Sequence, residues 1–383
     1  MIPEITSQPD LSGIRFRVAY RLTGDETLPR AKADDICLEQ TVEFPADVLP
    51  EGQIRRNIVG RIESFRSDGE NHFQVVISYP VEAAGKELTQ LLNVIFGNIS
   101  IKPGIRVEWL DLPDEIVKIY RGPRFGRNGL RRQTGVSGRP LLCSALKPMG
   151  LSARDLAEMA YKFALNGLDI VKDDHGLADQ HFAPFKERVK RCAEKILLAN
   201  KKTGRNCLYL PNISAPADLI LKRAKLARDA GAGGLMVAPG ITGFDTMREI
   251  ADCDSLVLPV FSHPALLGTF VTSPDQGISH PALFGQIMRL AGADAVIYPN
   301  FGGRFSFSRT ECESIVKATA SEMGPLKPIF PAPGGGMKLD RIEEWKEVYG
   351  IDVIYLVGGG LFKHGPDLSE NCRYFREKWG YKK

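Results

Sequence analysis

Four consecutive residues, Lys172, Asp173, Asp174 and His175, put an amine, two carboxylates and an imidazole at the end of an apolar run. Such a run, bounded by Gly167 and Gly176, reads as a buried strand of a parallel sheet. Alternation along a strand sends Lys172 and Asp174 to one side and Asp173 and His175 to the other, until the chain turns. A buried lysine beside carboxylates must be paired, deprotonated or chemically modified, because an isolated charge there is too costly. A structural Lys–Asp ion pair and a metal or acid–base site both satisfy that condition. Lys147, in Ala145-Leu-Lys-Pro-Met-Gly150, is a second candidate: a partly desolvated lysine can give up its proton and act as a base. A lysine reaching into solvent is the alternative. His263 ends the apolar run Val260-Phe-Ser-His, and is either a core histidine or an acid/base of a site.

These residues need a scaffold that gathers strand ends. Apolar runs followed by helical patterns fall at 141–148, 168–174, 207–214, 234–239, 257–263, 293–300, 328–333 and 353–358. The intervening helices are expected at 153–165, 184–201, 217–230, 244–251, 281–290, 309–322 and 339–349, with a last one at 368–379. Eight such units predict an α/β fold, a closed (β/α)8 TIM barrel, with its chemistry at the carboxyl ends of the strands. Residues 1–135 read instead as a smaller α+β domain, with strands near 16–22, 74–79 and 104–110 and helices near 29–39 and 85–96. The barrel is assigned to 136–383, and the Gly- and Arg-rich stretch 122–138 is the connector.

Two triple-glycine turns, 334–336 and 358–360, follow strands seven and eight. Loops there commonly hold a phosphate through unobstructed backbone N–H groups, although glycine also serves short turns that need positive φ. Composition narrows the classes. Fifty basic against 46 acidic residues leave a net charge of +4, no footprint for nucleic acid or an anionic membrane. No apolar run is long enough for a bilayer, and the first residues lack a secretory pattern, so a cytoplasmic protein is expected. Seven scattered cysteines without a CxxC fit reduced thiols.

Several stretches together resemble the large subunit of ribulose bisphosphate carboxylase (RuBisCO). They are Lys147-Pro-Met-Gly-Leu-Ser152, Gly167-Leu-Asp-Ile-Val-Lys-Asp-Asp174, Pro184-Phe-Lys-Glu-Arg188, Ser262-His263 and both triple-glycine turns. Leu38-Glu-Gln-Thr41, Gly60-Arg61, Phe96-Gly-Asn98 and Gly138-Arg-Pro-Leu-Leu142 extend the likeness over the whole chain. The resemblance implies a ferredoxin-like α+β domain, a C-terminal barrel, and a homodimer in which Glu39 and Asn98 of one chain complete the barrel mouth of the other. It also implies that Lys172 takes up CO2 as a carbamate and binds Mg2+ with acidic neighbours. Lys147 would enolise a small phosphorylated substrate, His263 would belong to the catalytic group, and Gly335, Gly336, Gly359 and Gly360 would hold phosphate.

The chain also departs from the carboxylase pattern. His175 replaces the second acidic ligand, so the metal set becomes Lys172, Asp174 and His175, and imidazole suits borderline ions better than Mg2+. Met149 replaces a lysine, Pro264 a phosphate-binding arginine and Leu267 a histidine. The mobile loop reads Gly302-Gly-Arg-Phe-Ser-Phe307, where Arg304 stands in for the usual lysine or binds an anion. These changes argue against carboxylation of a bisphosphate and place the chain with the RuBisCO-like proteins of form IV. The expected activity is a metal-stabilised enediolate or enolate reaction on a phosphorylated keto sugar or 3-oxo sugar acid, with a decarboxylase or hydrolase favoured. The alternatives are a methionine-salvage enolase or isomerase of a methylthio-sugar phosphate, and a non-catalytic protein linked to sulfur or oxidative-stress physiology.

Overall fold

The computed structural model describes residues 10–305 and 307–379, and the chain divides into two compact units. Of the described residues, the first comprises 10–120 together with 269–283 and 323–325; the second holds 121–268, 284–305, 307–322 and 326–379. The sequence-based break at 135 is therefore replaced by one at 120/121, with two later returns to the first unit.

In the first unit, strand Arg15–Thr23 is central because its side chains alternate cleanly. Phe16, Val18, Tyr20 and Leu22 are buried, while Arg15, Arg17 and Arg21 take the other face. It pairs antiparallel with His72–Pro80 on one side and Ile105–Asp111 on the other. Arg61–Ser67 forms the far edge beyond His72–Pro80, and Gly277–Ile278 adds a short parallel strand to Ile105–Asp111. Helices Thr27–Glu39 and Leu88–Phe96 complete a βαββαβ order, the ferredoxin-like arrangement. The buried Tyr20 hydroxyl donates to the Ile95 carbonyl (2.8 Å) and meets the Tyr79 hydroxyl at 2.9 Å, tying helix to sheet. Two strands escaped the sequence reading. Arg61–Ser67 is a charged edge strand with a register shift between Ile62 and Ser64, and Gly277–Ile278 is only two residues long.

The second unit contains all eight expected parallel strands, each shorter than its apolar run. They are Leu141–Leu146, Ile170–Asp173, Leu208–Leu210, Leu235–Val237, Val260–Ser262, Ala295–Pro299, Phe330–Gly334 and Ile354–Leu356. The eighth pairs with the first, and ladders continue through the second and third. A single bridge, Asn212 to Met236, links the third to the fourth. Ladders resume from the fourth through the seventh strand. At the remaining seam Leu356 packs against Gly334, where an added Cβ would come within 3.0 Å of it. The interior is side chains, not a pore: Leu141, Ile170, Leu210, Met236, Phe261, Ile297, Ala332 and Ile354 form one buried cluster. The expected helix at 309–322 ends earlier, as Arg309–Ala318 behind a Ser308–Glu311 capping box.

The connector is not a loop. Gly126–Thr134 is a helix that closes on left-handed Gly135 (φ 70°), and its Leu130 is fully buried in the barrel cluster. Asp294 anchors its start, accepting from the Phe125 and Gly126 amides (both 2.7 Å) and from Val260 N–H at the foot of strand five (3.0 Å). Among the described residues, no helix is long and apolar enough to cross a membrane.

Asp294→Ala would leave three N–H groups, two of them fully buried, without their acceptor. We expect a loss of at least about 3 kcal/mol in urea-unfolding free energy. A loss below about 1 kcal/mol would show that this carboxylate does not hold the connector.

Candidate functional site

Strand two ends in the buried pair Lys172 and Asp173, and the two acids that follow Lys172 have different duties. Asp173, fully buried, accepts from Arg188 Nε (3.1 Å), the Tyr209 hydroxyl (2.8 Å) and Asn212 N–H (3.1 Å). Burial pushes its carboxyl up, while Arg188 and the other donors oppose that. Arg188 in turn donates to the carbonyls of Ala183 (2.6 Å) and Ala178 (2.8 Å). Asn212 Nδ2 donates to the carbonyls of His175 (2.9 Å) and Leu177 (3.1 Å). Asp173 is thus a structural ion pair that fixes the loop after strand two.

Asp174 faces the other way, into the mouth. Its Oδ1 lies 3.3 Å from Lys147 Nζ and 3.5 Å from His175 Nδ1. Burial works to raise this carboxyl, but the His175 hydrogen bond and the cations of Lys172 and Lys147 outweigh it and hold Asp174 well below the usual carboxylate range. Lys172 is 1 % exposed. Its Nζ donates to the Asp173 carbonyl (2.9 Å) and lies 3.4 Å from Met236 Sδ. Burial lowers its pKa, partly offset by Asp174. The alternation expected for the strand holds for Lys172 and Asp174; His175 swings round because the strand ends at Asp173 and the chain turns.

His263 is a mouth residue, half-buried, and its ring stacks on His175 at 4.6 Å between centroids and 13° between planes. Its Nδ1 accepts from Ala265 N–H (3.2 Å), which leaves the proton of the neutral ring on Nε2. Desolvation first, then Lys172 and His175, push its pKa well below the ordinary histidine value. Lys147 is only partly exposed and turns inward. A Cβ built at Gly358 would sit 3.7 Å from its Nζ, so the amine lies between Asp174 and the glycine turn after strand eight.

The two glycine turns differ in why they need glycine. Gly335 and Gly336 have φ of 74° and 101°, so the backbone alone demands them. A side chain at Gly336 would also strike Gly303 at 2.7 Å and Arg304 N at 2.9 Å, because the loop after strand six lies on this turn. Gly359 has neither a positive φ nor any atom crowding its missing Cβ, whereas a Cβ at Gly360 would collide with the Met337 carbonyl. The turn after strand eight is therefore open ground next to Lys147. Arg304 is exposed, its guanidinium 5.0 Å over the Phe305 ring. In the first unit, Asn98 Nδ2 donates to Glu39 Oε1 (2.9 Å), and the pair is positioned by buried Gln40, which donates to the Asn93 (2.6 Å) and Val94 (2.8 Å) carbonyls.

Among the described residues, no three His, Cys, Asp or Glu side chains form a ready-made metal site. Asp174 and His175 offer one oxygen and one nitrogen. A hard divalent ion asks for more oxygen than that, so the donor set fits Mg2+ only if Lys172 itself becomes an anionic ligand. Its enclosed, depressed amine is suited to that change. Asn212 was expected at the end of strand three; Arg188 is the contributor that spacing did not reveal, since the Pro184-Phe-Lys-Glu-Arg188 stretch carried it only as part of a motif.

The barrel carries paired lysines, an acid and two histidines at its carboxyl mouth. The catalytic domain of ribulose bisphosphate carboxylase large chain matches residues 127–370, and the chain belongs to that family, among its RuBisCO-like members. A 5-methylthioribulose-1-phosphate isomerase from Rhodospirillum rubrum is 38% identical over 362 residues, covering 94% of this chain and 95% of that protein. A 2,3-diketo-5-methylthiopentyl-1-phosphate enolase from Geobacillus kaustophilus is 31% identical over 376 residues, covering 94% of this chain and 90% of that protein. The crystal structure of a Rubisco-like protein from Rhodopseudomonas palustris superposes with a TM-score of 0.87 at 36% identity, covering 96% of this chain and 99% of that one.

With a folded pKa below the unfolded histidine value of 6.5, His263 binds fewer protons in the folded state as pH falls through that value. Its contribution to stability is present above pH 6.5 and is lost progressively on acidification below it. In a histidine NMR titration its ring signals should stay those of the neutral Nε2–H tautomer from pH 8 to 6. An inflection near 6.5 would contradict the enclosed stack.

Proposed function

We propose that the chain enolises a phosphorylated keto sugar, most closely a methylthio-pentulose phosphate. The observation that carries this is the place of Lys147 Nζ, between the Asp174 carboxylate at 3.3 Å and the open glycine turn after strand eight. Phosphate on that turn sets the carbon next to the carbonyl within reach of the lysine. With its own proton released to solvent, Lys147 takes the proton from that carbon, the C–H electron pair moves into the carbonyl, and the oxygen becomes an enediolate anion. His263, neutral with its proton on Nε2, can donate a hydrogen bond to that oxygen. Return of the proton to the neighbouring carbon gives an isomerase; its delivery to oxygen gives an enolase.

Mg2+, held by a Lys172 carbamate with Asp174 and His175, would add Lewis-acid stabilisation of the same anion. The chain's own part is to keep Lys172 enclosed and Asp174 ionised; Arg188 and Asn212 keep the loop in register. As part of the proposal, two copies associate, and Glu39 and Asn98 of each reach the other's site. The relatives named isomerase and enolase support this reading better than the decarboxylase or hydrolase of a 3-oxo sugar acid. Retention of the Lys147–Asp174 contact favours catalysis over a purely regulatory role.

Lys147→Met should slow exchange of the substrate's α-proton with deuterated solvent by roughly 100-fold or more, as loss of a general base does. Exchange at the parent rate would remove Lys147 from the reaction. After incubation with bicarbonate and Mg2+, native mass spectrometry should show one added CO2, absent in Lys172→Met. An unmodified Lys172 would end the carbamate proposal.

A further inference from the structure

A groove of about 370 Å3 opens at the end of the barrel away from the catalytic mouth. Among its lining residues, Cys207 and Leu208 begin strand three, Ala232 and Gly233 precede strand four, and Leu258 precedes strand five. It therefore lies at the amino ends of the strands. Direct contacts join its sides. Asn200, on helix Phe185–Thr203, donates from Nδ2 to the Cys207 carbonyl and accepts from the Cys207 N–H through Oδ1, both at 2.9 Å. Gly233 N–H donates to the Tyr209 carbonyl (2.9 Å), and a Cβ on Gly233 would stand 2.9 Å from Leu208 Cβ. Asn206 Nδ2 lies 3.6 Å from where a Cβ on Gly135 would be, so its amide reaches the end of helix Gly126–Thr134, which carries Gln133.

Two kinds of surface meet in this groove. Ile196, Leu197, Leu208 and Leu258 supply apolar side chains, and Leu197 is exposed. Gln133 and Asn206 bring carboxamides. Gln133 Oε1 is buried and has no hydrogen-bond partner among the described residues, and the exposed Asn206 amide has none there either. A buried acceptor without a donor carries a desolvation cost that a ligand N–H would relieve. Beside it, the Asn206 NH2 group calls for an acceptor. A ligand that satisfies both presents a donor next to an acceptor on one edge, with apolar faces to lie against the leucines. The amino group of adenine, flanked by ring nitrogens, is such an edge, and carboxamide side chains pair with it. The volume falls within the range of small-molecule pockets, about 300–1,000 Å3. We infer that this groove is a second ligand site, which takes the base of an adenine nucleoside. No residue of the mouth takes part, so the site is independent of enolisation.

The test is isothermal calorimetry of the full-length protein with adenosine and with purine riboside, which lacks the amino group. Adenosine should bind once per chain and about tenfold more tightly than purine riboside, the effect of one hydrogen bond. Gln133→Leu and Asn206→Ala should each weaken adenosine by about tenfold, while binding of inorganic phosphate stays unchanged. Asn206 is exposed, so its variant keeps the fold even if Gln133→Leu does not. Failure of adenosine to bind, equal binding of the two nucleosides, or an unaltered adenosine affinity in either folded variant overturns the site.

Discussion

The burial of one amine sets the terms for the rest of the barrel mouth. Lys172 has almost no exposed surface, and at close range its Nζ meets a backbone carbonyl and a thioether. A permanent ammonium there would carry a desolvation cost that neither partner repays. The neighbouring charges are arranged around that fact. Asp173 is committed to Arg188 and lies outside the mouth chemistry. Asp174 is the acid that balances the lysines, and the cluster of cations around it explains why it stays ionised.

That division gives the site its working parts. A carboxylate held far below its usual range and a histidine kept neutral by burial and neighbouring cations have their protonation states pushed apart, beside a lysine at an open glycine turn. Such separation is what proton transfer next to a carbonyl requires. The scaffold supplies it cheaply because barrel strands one, two and five end on the same rim.

Much of this was legible in the residues. All eight barrel strands were visible because buried parallel strands are unbroken apolar runs, and the central strand of the first unit because Phe16, Val18, Tyr20 and Leu22 alternate without a fault. What failed to show has a physical reason in each case. Arg61–Ser67 is an edge strand whose charges and register shift mask the period, and Gly277–Ile278 takes its identity from a partner far along the chain. The connector helix hid behind its glycines and arginines, since only Leu130 announces a buried face. In the site, the residue types were plain, but strand alternation could not say that His175 would turn back onto His263. Nor could spacing assign Asp173 to Arg188, a contact from the end of a strand to the helix beyond the next loop.

Everything described at the mouth follows if the side chain of residue 172 is shut away from water and readily loses its proton. A 13C NMR titration of lysine-labelled protein, with the resonance assigned through Lys172→Met, measures this directly. The account predicts one lysine titrating clearly below the ordinary value of 10.5. A Lys172 signal that titrates together with the surface lysines would contradict it.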